Sequence, residues 1–570
     1  MTIRRDADHD AVCQATGRHI LVTAPPGTGK TFLSVRLAGQ LSLDLDAVER
    51  VLLVTFSNQA RSQLEREAAD QLTPHVRARV EVVNYHGFFR REVWANRRAL
   101  GLPLETRIGT SRRRLEALAA VDREAVEQLR RQEGLLDSFA EQRFERFRDD
   151  RTPEEAVRER LLAVVTAQHR AGTLVFDDLG ALFWTLLQSY PMLDAAYKQR
   201  YSVVIADEHQ DASELQDSVV RRLAQKRLVI FADPMQLIYG FRGSKPERLK
   251  RHLEEADQKL ELRTPHRWHG DDPCGRWLFA VRRRLLGEPD ATPTPGSVVC
   301  LRTRYFNQMK ARAKEQAASA LRDGMRSVAV LAVLGQEVRD LRSYLSRSGL
   351  YPRQLGGSDD FEEAHEEIEQ LPSLVEVGDI AHRALERVAS LVPTLDKNTI
   401  SSIKGRLRPR AIDLAGRLGA EARELLATLG SLYEHGACHY FSSVAAALDT
   451  CVARGHHLPR VEAVRAIRSA ADGSSRAASL EVALARYSEH VATASQTAVR
   501  PSRGLYVMTV HQAKGKEFDA VVIFHASERT LPDTEESRRL FYVALTRASR
   551  RWRVIAPQDR ASPLLRYLWP

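Results

Sequence analysis

The sequence is short of several things that define protein classes. Its five cysteines, Cys13, Cys274, Cys300, Cys438 and Cys451, form no C-x-x-C pair. That argues against an iron–sulfur cluster or a zinc ribbon and suits a reducing, cytoplasmic setting. No apolar run is long enough to cross a bilayer. The opening Met-Thr-Ile-Arg-Arg-Asp leads into polar residues instead of the apolar stretch of a signal peptide. Internal repeats and low-complexity tracts are absent as well. Acidic residues are outnumbered, 74 against 85 lysines and arginines, leaving a formal charge of +11 that suits a polyanionic partner. The rest is ordinary for a soluble globular protein, with 43% hydrophobic and 28% charged residues. A length of 570 residues is too much for one core, so several domains are expected.

Short apolar runs recur along the chain: 20–23, 51–55, 80–83, 203–206 and 228–231, then 298–301, 328–333, 506–509, 521–524 and 552–555. Helical patterns lie between them. Strands alternating with helices predict α/β lobes built on parallel sheets covered on both faces, and the two series predict two lobes. Two stretches break the rhythm. Residues near 90–170 are rich in arginine and glutamate and helical in pattern. Residues near 360–495 open with an acidic run from Asp359 to Glu369 and continue as amphipathic helices. Each reads as a helical insertion in a lobe.

The first run enters Ala24-Pro25-Pro26-Gly27-Thr28-Gly29-Lys30-Thr31, followed by a helical pattern. This is a phosphate-binding loop: small residues let backbone N–H groups approach phosphates, and the helix N-terminus favours an anion. Lys30 is expected to neutralise the β- and γ-phosphates, and Thr31 to ligate Mg²⁺. The run at 203–206 ends in Asp207 and Glu208. Asp207 suits the metal, and Glu208 suits the separate task of taking a proton from the attacking water. ATP and Mg²⁺ are the ligands these motifs predict.

An ordered series of motifs then resembles the UvrD/Rep/PcrA family of superfamily 1 DNA helicases: Thr55-Phe56-Ser57-Asn58-Gln59-Ala60, Asn84-Tyr85-His86-Gly87, Asp177-Asp178-Leu179, residues 236–243, residues 509–518 and residues 538–548. The resemblance implies two RecA-like lobes. The first is 1–89 and 171–260, interrupted by a helical insertion over 90–170. The second is 261–360 and 496–570, interrupted by one over 361–495. It implies that Arg242 from the first lobe and Arg267 and Arg547 from the second stabilise transition-state charge. Gln210 and Gln236 would sense the γ-phosphate, and Glu517 would accept from a ribose hydroxyl. It also implies a single-strand track in which Phe56, Tyr85, Tyr239 and Phe241 stack on or wedge between bases, with Asn58, His86 and His511 touching the strand or linking it to the nucleotide.

The chain departs from the family pattern in places. Aligning Ala11-Val12 puts Asp8 where the family carries an adenine-reading glutamine, and His266 stands where a tyrosine stacks on adenine; both loosen the expectation of strict ATP selectivity. A basic group, Lys397, Lys404, Arg406, Arg408 and Arg410, suits duplex phosphates or a solvated face equally. The nearby Cys438, His439, Cys451, His456 and His457 fit no zinc-finger spacing.

The resulting expectation is ATP-dependent 3′ to 5′ translocation on single-stranded DNA, with strand separation at junctions. The alternative is a DNA-stimulated ATPase subunit serving a partner nuclease. The chain is similar in size class to the helicase-like subunits of Gabija-type anti-phage systems, which have reduced insertions. A third class, an RNA motor, is not separable from these in sequence.

Overall fold

The computed structural model describes residues 6–108, 163–175, 178–238, 246–268, 272–353, 376–407, 418–472 and 503–570, with a few isolated positions between them. The chain folds as two compact units. The first comprises Met1–Ser297, Leu531–Ser549 and Pro563–Pro570, and the second Val298–Thr530 and Arg550–Ser562.

The first unit is built on strands β1 (His19–Thr23), β2 (Val51–Thr55), β3 (Val80–Asn84), β6 (Val203–Ala206), β7 (Arg227–Ala232) and β8 (Gln258–Glu261), in the order β3-β2-β6-β7-β1-β8. A two-stranded pair, β4 (Arg107–Ile108) and β5 (Thr173–Leu174), lies between β3 and β6 in the sequence. Every neighbouring pair in the large sheet is parallel. Its central strands are apolar throughout, because a parallel sheet is covered on both faces. Alternate residues divide between those faces. Ile20, Val22, Leu53, Ile205 and Phe231 pack with Leu33, Leu37 and Leu41 of the helix Lys30–Ser42. Leu21, Leu52, Val54, Val204 and Ile230 pack with Phe88, Phe89, Phe183 and Val219 from the helices Tyr85–Ala95, Asp178–Ser189 and Glu214–Leu223.

β8 was not foreseen. Its sequence, Gln-Lys-Leu-Glu, alternates instead of running apolar, as suits an edge strand with one side toward water. The carboxyl ends of β1, β2, β3, β6 and β7 carry Ala24, Phe56, Asn84, Asp207 and Asp233, so the motif residues gather at one edge of the sheet, where open α/β folds hold ligands.

The second unit has strands β9 (Val298–Thr303), β10 (Ser327–Ala332), β11 (Gly504–Thr509), β12 (Phe518–Ile523) and β13 (Ala548–Pro557), ordered β11-β10-β12-β13-β9. β12 begins three residues before the predicted run because Phe518 and Ala520 are also buried. Between β10 and β11, the described residues from 376 to 472 are helical. The helices Val377–Leu391, Ala420–Gly430, Tyr440–Ala453 and Val461–Asp472 share a core of Leu385, Val388, Leu425, Leu429, Phe441, Leu448 and Ile467. No helix among the described residues is long and apolar enough to cross a membrane.

Arg267 and Arg547, anticipated from the second lobe, belong to the same compact unit as the phosphate loop. The helix Glu535–Leu545 precedes Arg547, and Arg267 Nη1 donates to the carbonyl of Thr546 at 2.8 Å.

Candidate nucleotide site

The phosphate loop leaves β1 with Ala24 N bonded to the Ala232 carbonyl at 3.0 Å, which ties it to β7. Thr28 Oγ1 donates to the Pro25 carbonyl at 2.8 Å and closes the turn. Gly27 has φ +86° and Gly29 φ +76°. A Cβ on Gly27 would lie 2.8 Å from the Trp268 ring and 2.9 Å from Arg267 Cβ, so this position has no room for a side chain. The helix beginning at Lys30 points its N-terminus into the loop, with Thr31 in its first turn.

Lys30 reaches across to the carboxylates that follow β6. Its ammonium pairs closely with Glu208 and lies 3.5 Å from Asp207 Oδ1. Burial works against that ammonium, but the two carboxylates more than offset it and raise its pKa. Asp207 is 2% exposed, and burial pushes its carboxyl upward against the pull of Lys30. Its Oδ1 makes no hydrogen bond. A buried carboxylate oxygen without a hydrogen-bond donor, and a threonine hydroxyl in the first turn after the phosphate loop, are hard oxygen ligands of the kind Mg²⁺ takes.

From Glu208 a continuous polar chain runs through the unit. Gln210 Nε2 donates to Glu208 Oε2 at 2.5 Å, and Gln210 Oε1 accepts from Asp233 N at 3.2 Å. Gln236 Nε2 donates to Asp233 Oδ2 at 3.1 Å, and Arg547 Nη2 donates to Gln236 Oε1 at 3.4 Å. Arg282 adds a second guanidinium 3.5 Å from Asp233 Oδ1. Arg547 is itself fixed by Nε on the Val543 carbonyl at 3.0 Å and Nη2 on Thr546 Oγ1 at 2.8 Å. Asp233 and Arg282 were missed in the sequence, because nothing local distinguishes a buried ionic pair from a solvated one.

Beside the loop lies a group from both ends of the unit. His266 Nε2 meets Asp6 Oδ2 at 2.7 Å, and its ring centre is 5.0 Å from that of His9. His9 Nε2 donates to the Thr28 carbonyl at 3.0 Å, and its ring stacks toward Phe32 at 6.1 Å. His266 thus stands next to the phosphate loop. Asp8 Oδ2 accepts from Arg263 N at 2.8 Å. The next residue, His9, is the one that bonds the loop.

The residues expected to touch DNA fare differently. Tyr85 is 1% exposed within the core below β2 and β3, and its hydroxyl bonds His209 Nδ1 at 2.9 Å. The stacking expectation for Tyr85 is therefore corrected: its ring is packing. Phe56 and His86 are half-buried at the ends of β2 and β3, and Asn58 opens the helix Asn58–Gln71 behind its Ser57 cap. His511 and Glu517 are half-buried in the second unit, on the helix Val510–Ala513 and just before β12. Tyr239, Phe241 and Arg242 lie outside the described residues, as do Asp177, Arg408, Arg410 and the acidic run 359–369. Asp178 is structural: Arg114 grips it through two nitrogens at 3.0 and 2.8 Å, and His169 lies at 2.9 Å.

The cysteine–histidine group of the helical region does not converge. Cys451 is in the core, His456 pairs with Glu421 at 2.5 Å, and His457 stacks on Tyr351.

Two parallel-sheet α/β units, with a phosphate loop after β1 and adjacent carboxylates after β6, define a RecA-like P-loop nucleotide-binding protein. The family model described as the UvrD/REP helicase N-terminal domain matches residues 5–257, and that of the UvrD-like helicase C-terminal domain matches residues 504–555. Together they cover more than half of the sequence, and the chain belongs to the UvrD/REP helicase family. It is 28% identical over 243 residues to the ATP-dependent DNA helicase PcrA of Leuconostoc citreum, covering 40% of this chain and 32% of that protein. It is 26% identical over 270 residues to DNA helicase II of Haemophilus influenzae, covering 44% and 36%. Against DNA helicase II of Escherichia coli it is 25% identical over 619 residues, covering 95% and 83%. The chain thus spans about a third of the length of the first two relatives and most of the third.

Proposed function

We propose that this protein is an ATP-driven motor that moves 3′ to 5′ along single-stranded DNA and separates strands at junctions. The observation that carries the reading is the unbroken polar chain from Lys30 through Glu208, Gln210, Asp233 and Gln236 to Arg547. It puts a phosphate-neutralising cation, a general base, two amides and a second cation in one connected system. Phosphoryl transfer asks for positioning and charge stabilisation more than for covalent chemistry.

In this reading Thr31 and Asp207 hold Mg²⁺, which neutralises charge on the transferring group. Lys30 and the loop N–H groups seat the phosphates. Glu208 accepts the proton of the attacking water, with Gln210 keeping its carboxylate in place. Arg547, with Arg267 and Arg242, supports the developing charge. Gln236, bonded at once to Asp233 and Arg547, passes the state of the phosphates outward. His266 packs against the base, and Glu517 takes the ribose. Phe56, Asn58, His86, Tyr239, Phe241 and His511 line the strand.

The test is ATP hydrolysis without nucleic acid and with single-stranded DNA, duplex DNA and RNA. Unwinding of partial duplexes with 3′ or 5′ tails is measured beside it. Stimulation by single-stranded DNA and unwinding only from the 3′ tail are expected; stimulation by RNA alone would overturn the reading. The same assays with the neighbouring gene product decide whether the motor serves a partner nuclease, which would show as hydrolysis without unwinding by the isolated chain.

A further inference from the structure

Behind the catalytic turn lies a buried polar chain that the nucleotide chemistry does not use. Asp217, on the helix Glu214–Leu223, is 0% exposed. Its Oδ1 accepts from His209 Nε2 at 2.9 Å and His252 Nε2 at 2.8 Å, and its Oδ2 from Arg221 Nε at 2.9 Å. A carboxylate only accepts, so both imidazoles carry their proton on Nε2 and leave Nδ1 bare. His209 Nδ1 then accepts the Tyr85 hydroxyl at 2.9 Å. His252 Nδ1 accepts from Arg221 Nη2 at 3.1 Å and from His19 Nε2 at 3.0 Å.

His209, Asp217 and His252 are close enough together to hold a metal ion. Their facing atoms are already engaged, however, and one guanidinium balances the one carboxylate. Burial pushes His209 down to about 4 despite the pull of Asp217. Burial would raise Asp217, but hydrogen bonds from both histidines hold it well below the usual carboxylate range. His209 is therefore neutral near pH 7.

The chain joins two places. At one end His209 follows Glu208, whose φ of +53° is left-handed for a residue with a side chain. Such a conformation persists only where its surroundings over-determine it. Here Asp207 N is fixed on the Val54 carbonyl at 2.8 Å, His209 is held through both ring nitrogens, and Arg248 Nη2 holds the Gln210 carbonyl at 3.0 Å. At the other end Tyr85 opens the helix Tyr85–Ala95, beside Asn84, whose Oδ1 caps Gly87 N at 2.7 Å, and His86.

We propose that Tyr85 and Asp217 are positioning residues that act through His209, holding Glu208 in its left-handed conformation and linking that turn to the segment carrying His86. The link to DNA rests on the function proposed above; the hold on Glu208 does not.

The test uses the full chain carrying Tyr85→Phe, which removes one hydroxyl and keeps the ring, and Asp217→Asn, which keeps the shape and loses an acceptor. Hydrolysis is measured with and without saturating single-stranded oligonucleotide, together with oligonucleotide affinity and the thermal midpoint. For Tyr85→Phe, kcat is expected to fall about tenfold, the scale of one hydrogen bond, with KM for ATP and oligonucleotide Kd within about twofold. The double variant is expected to be no worse than the poorer single, as for members of one chain. An unchanged kcat in Tyr85→Phe overturns the proposal. So does a weakened Kd with normal kcat at saturation, which would return Tyr85 to the strand, and so does a multiplicative loss in the double variant. If Asp217→Asn does not fold, Tyr85→Phe decides alone. If DNA does not stimulate the unmodified protein, the motor reading fails while the positioning of Glu208 is still judged on hydrolysis without DNA.

Discussion

The first sheet and the helical stretch from 376 to 472 bury very different residues. Around the carboxyl ends of the first sheet the least exposed side chains include His9, Asp207, His209, Gln210, Asp217, Asp233, Arg248, Arg282 and Arg547. In the helical stretch the buried set is mostly leucine, alanine and valine, joined by Ile380, Ile403, Tyr440, Phe441, Cys451 and Ile467, with Arg387, Ser443 and Arg460 as the polar members among the described residues. Burying a polar group is costly unless it is bonded, and burying a charge more so. The first unit bears that cost where bonds can be directed at a reacting phosphate. The helical stretch bears little of it and supplies packing.

The sharpest test of this contrast pairs Glu208→Gln with Leu425→Ala. The first should keep ATP binding and lower turnover roughly 100-fold or more, the range for a general base. The second should lose about 2–5 kcal/mol of stability in a denaturant titration while turnover per folded molecule is unchanged. A change in turnover from Leu425→Ala would break the contrast. Next comes Arg547→Ala, which should reduce DNA-stimulated hydrolysis by about 100-fold, as for loss of one transition-state donor, with a smaller loss in fluorescent-nucleotide affinity. Lost binding with normal turnover per bound nucleotide would make Arg547 a binding residue.

A third effect is pH-dependent. His209 has a folded pKa near 4 against an ordinary 6.5, so the unfolded chain binds its proton first as pH falls. Its stabilisation is complete above pH 6.5 and is lost as pH drops toward 4, by up to about 3 kcal/mol. Urea midpoints at pH 7.5 and 5 measure it, and His209→Gln should flatten the slope. The smallest effect concerns metal. Zinc or a chelator should move the thermal midpoint by no more than about 1 °C, because Cys451, His456 and His457 each have other partners.

The apolar strands were readable in sequence because a parallel sheet buries both faces: β2 and β6 match the predicted runs, and the others differ by a few residues at their ends. The phosphate loop and the Asp207–Glu208 pair were readable because their chemistry is contiguous. What escaped was assembled from distant positions. Asp6, His9 and His266 meet across some 260 residues. Tyr85 sits in a motif of the right form, but its ring packs under the sheet, and residue type alone does not say which face a tyrosine takes. Asp217 looks like any surface aspartate of an amphipathic helix until His209 and His252 are seen to share it.

The chain passes between the two units after Ser297, Thr530, Ser549 and Ser562. Residues 531–570 accordingly contribute a helix to one unit, most of β13 to the other, and then the turn Pro563–Leu568, whose Leu568 carbonyl accepts from Trp277 Nε1 at 2.9 Å. Translation delivers these pieces after the rest of both units. β9 waits on the ribosome for its neighbour β13, some 245 residues later, and the helix Pro273–Leu285 waits for Leu568. Neither unit can finish folding until residues 531–570 have been made, and no single protease cut releases either one whole.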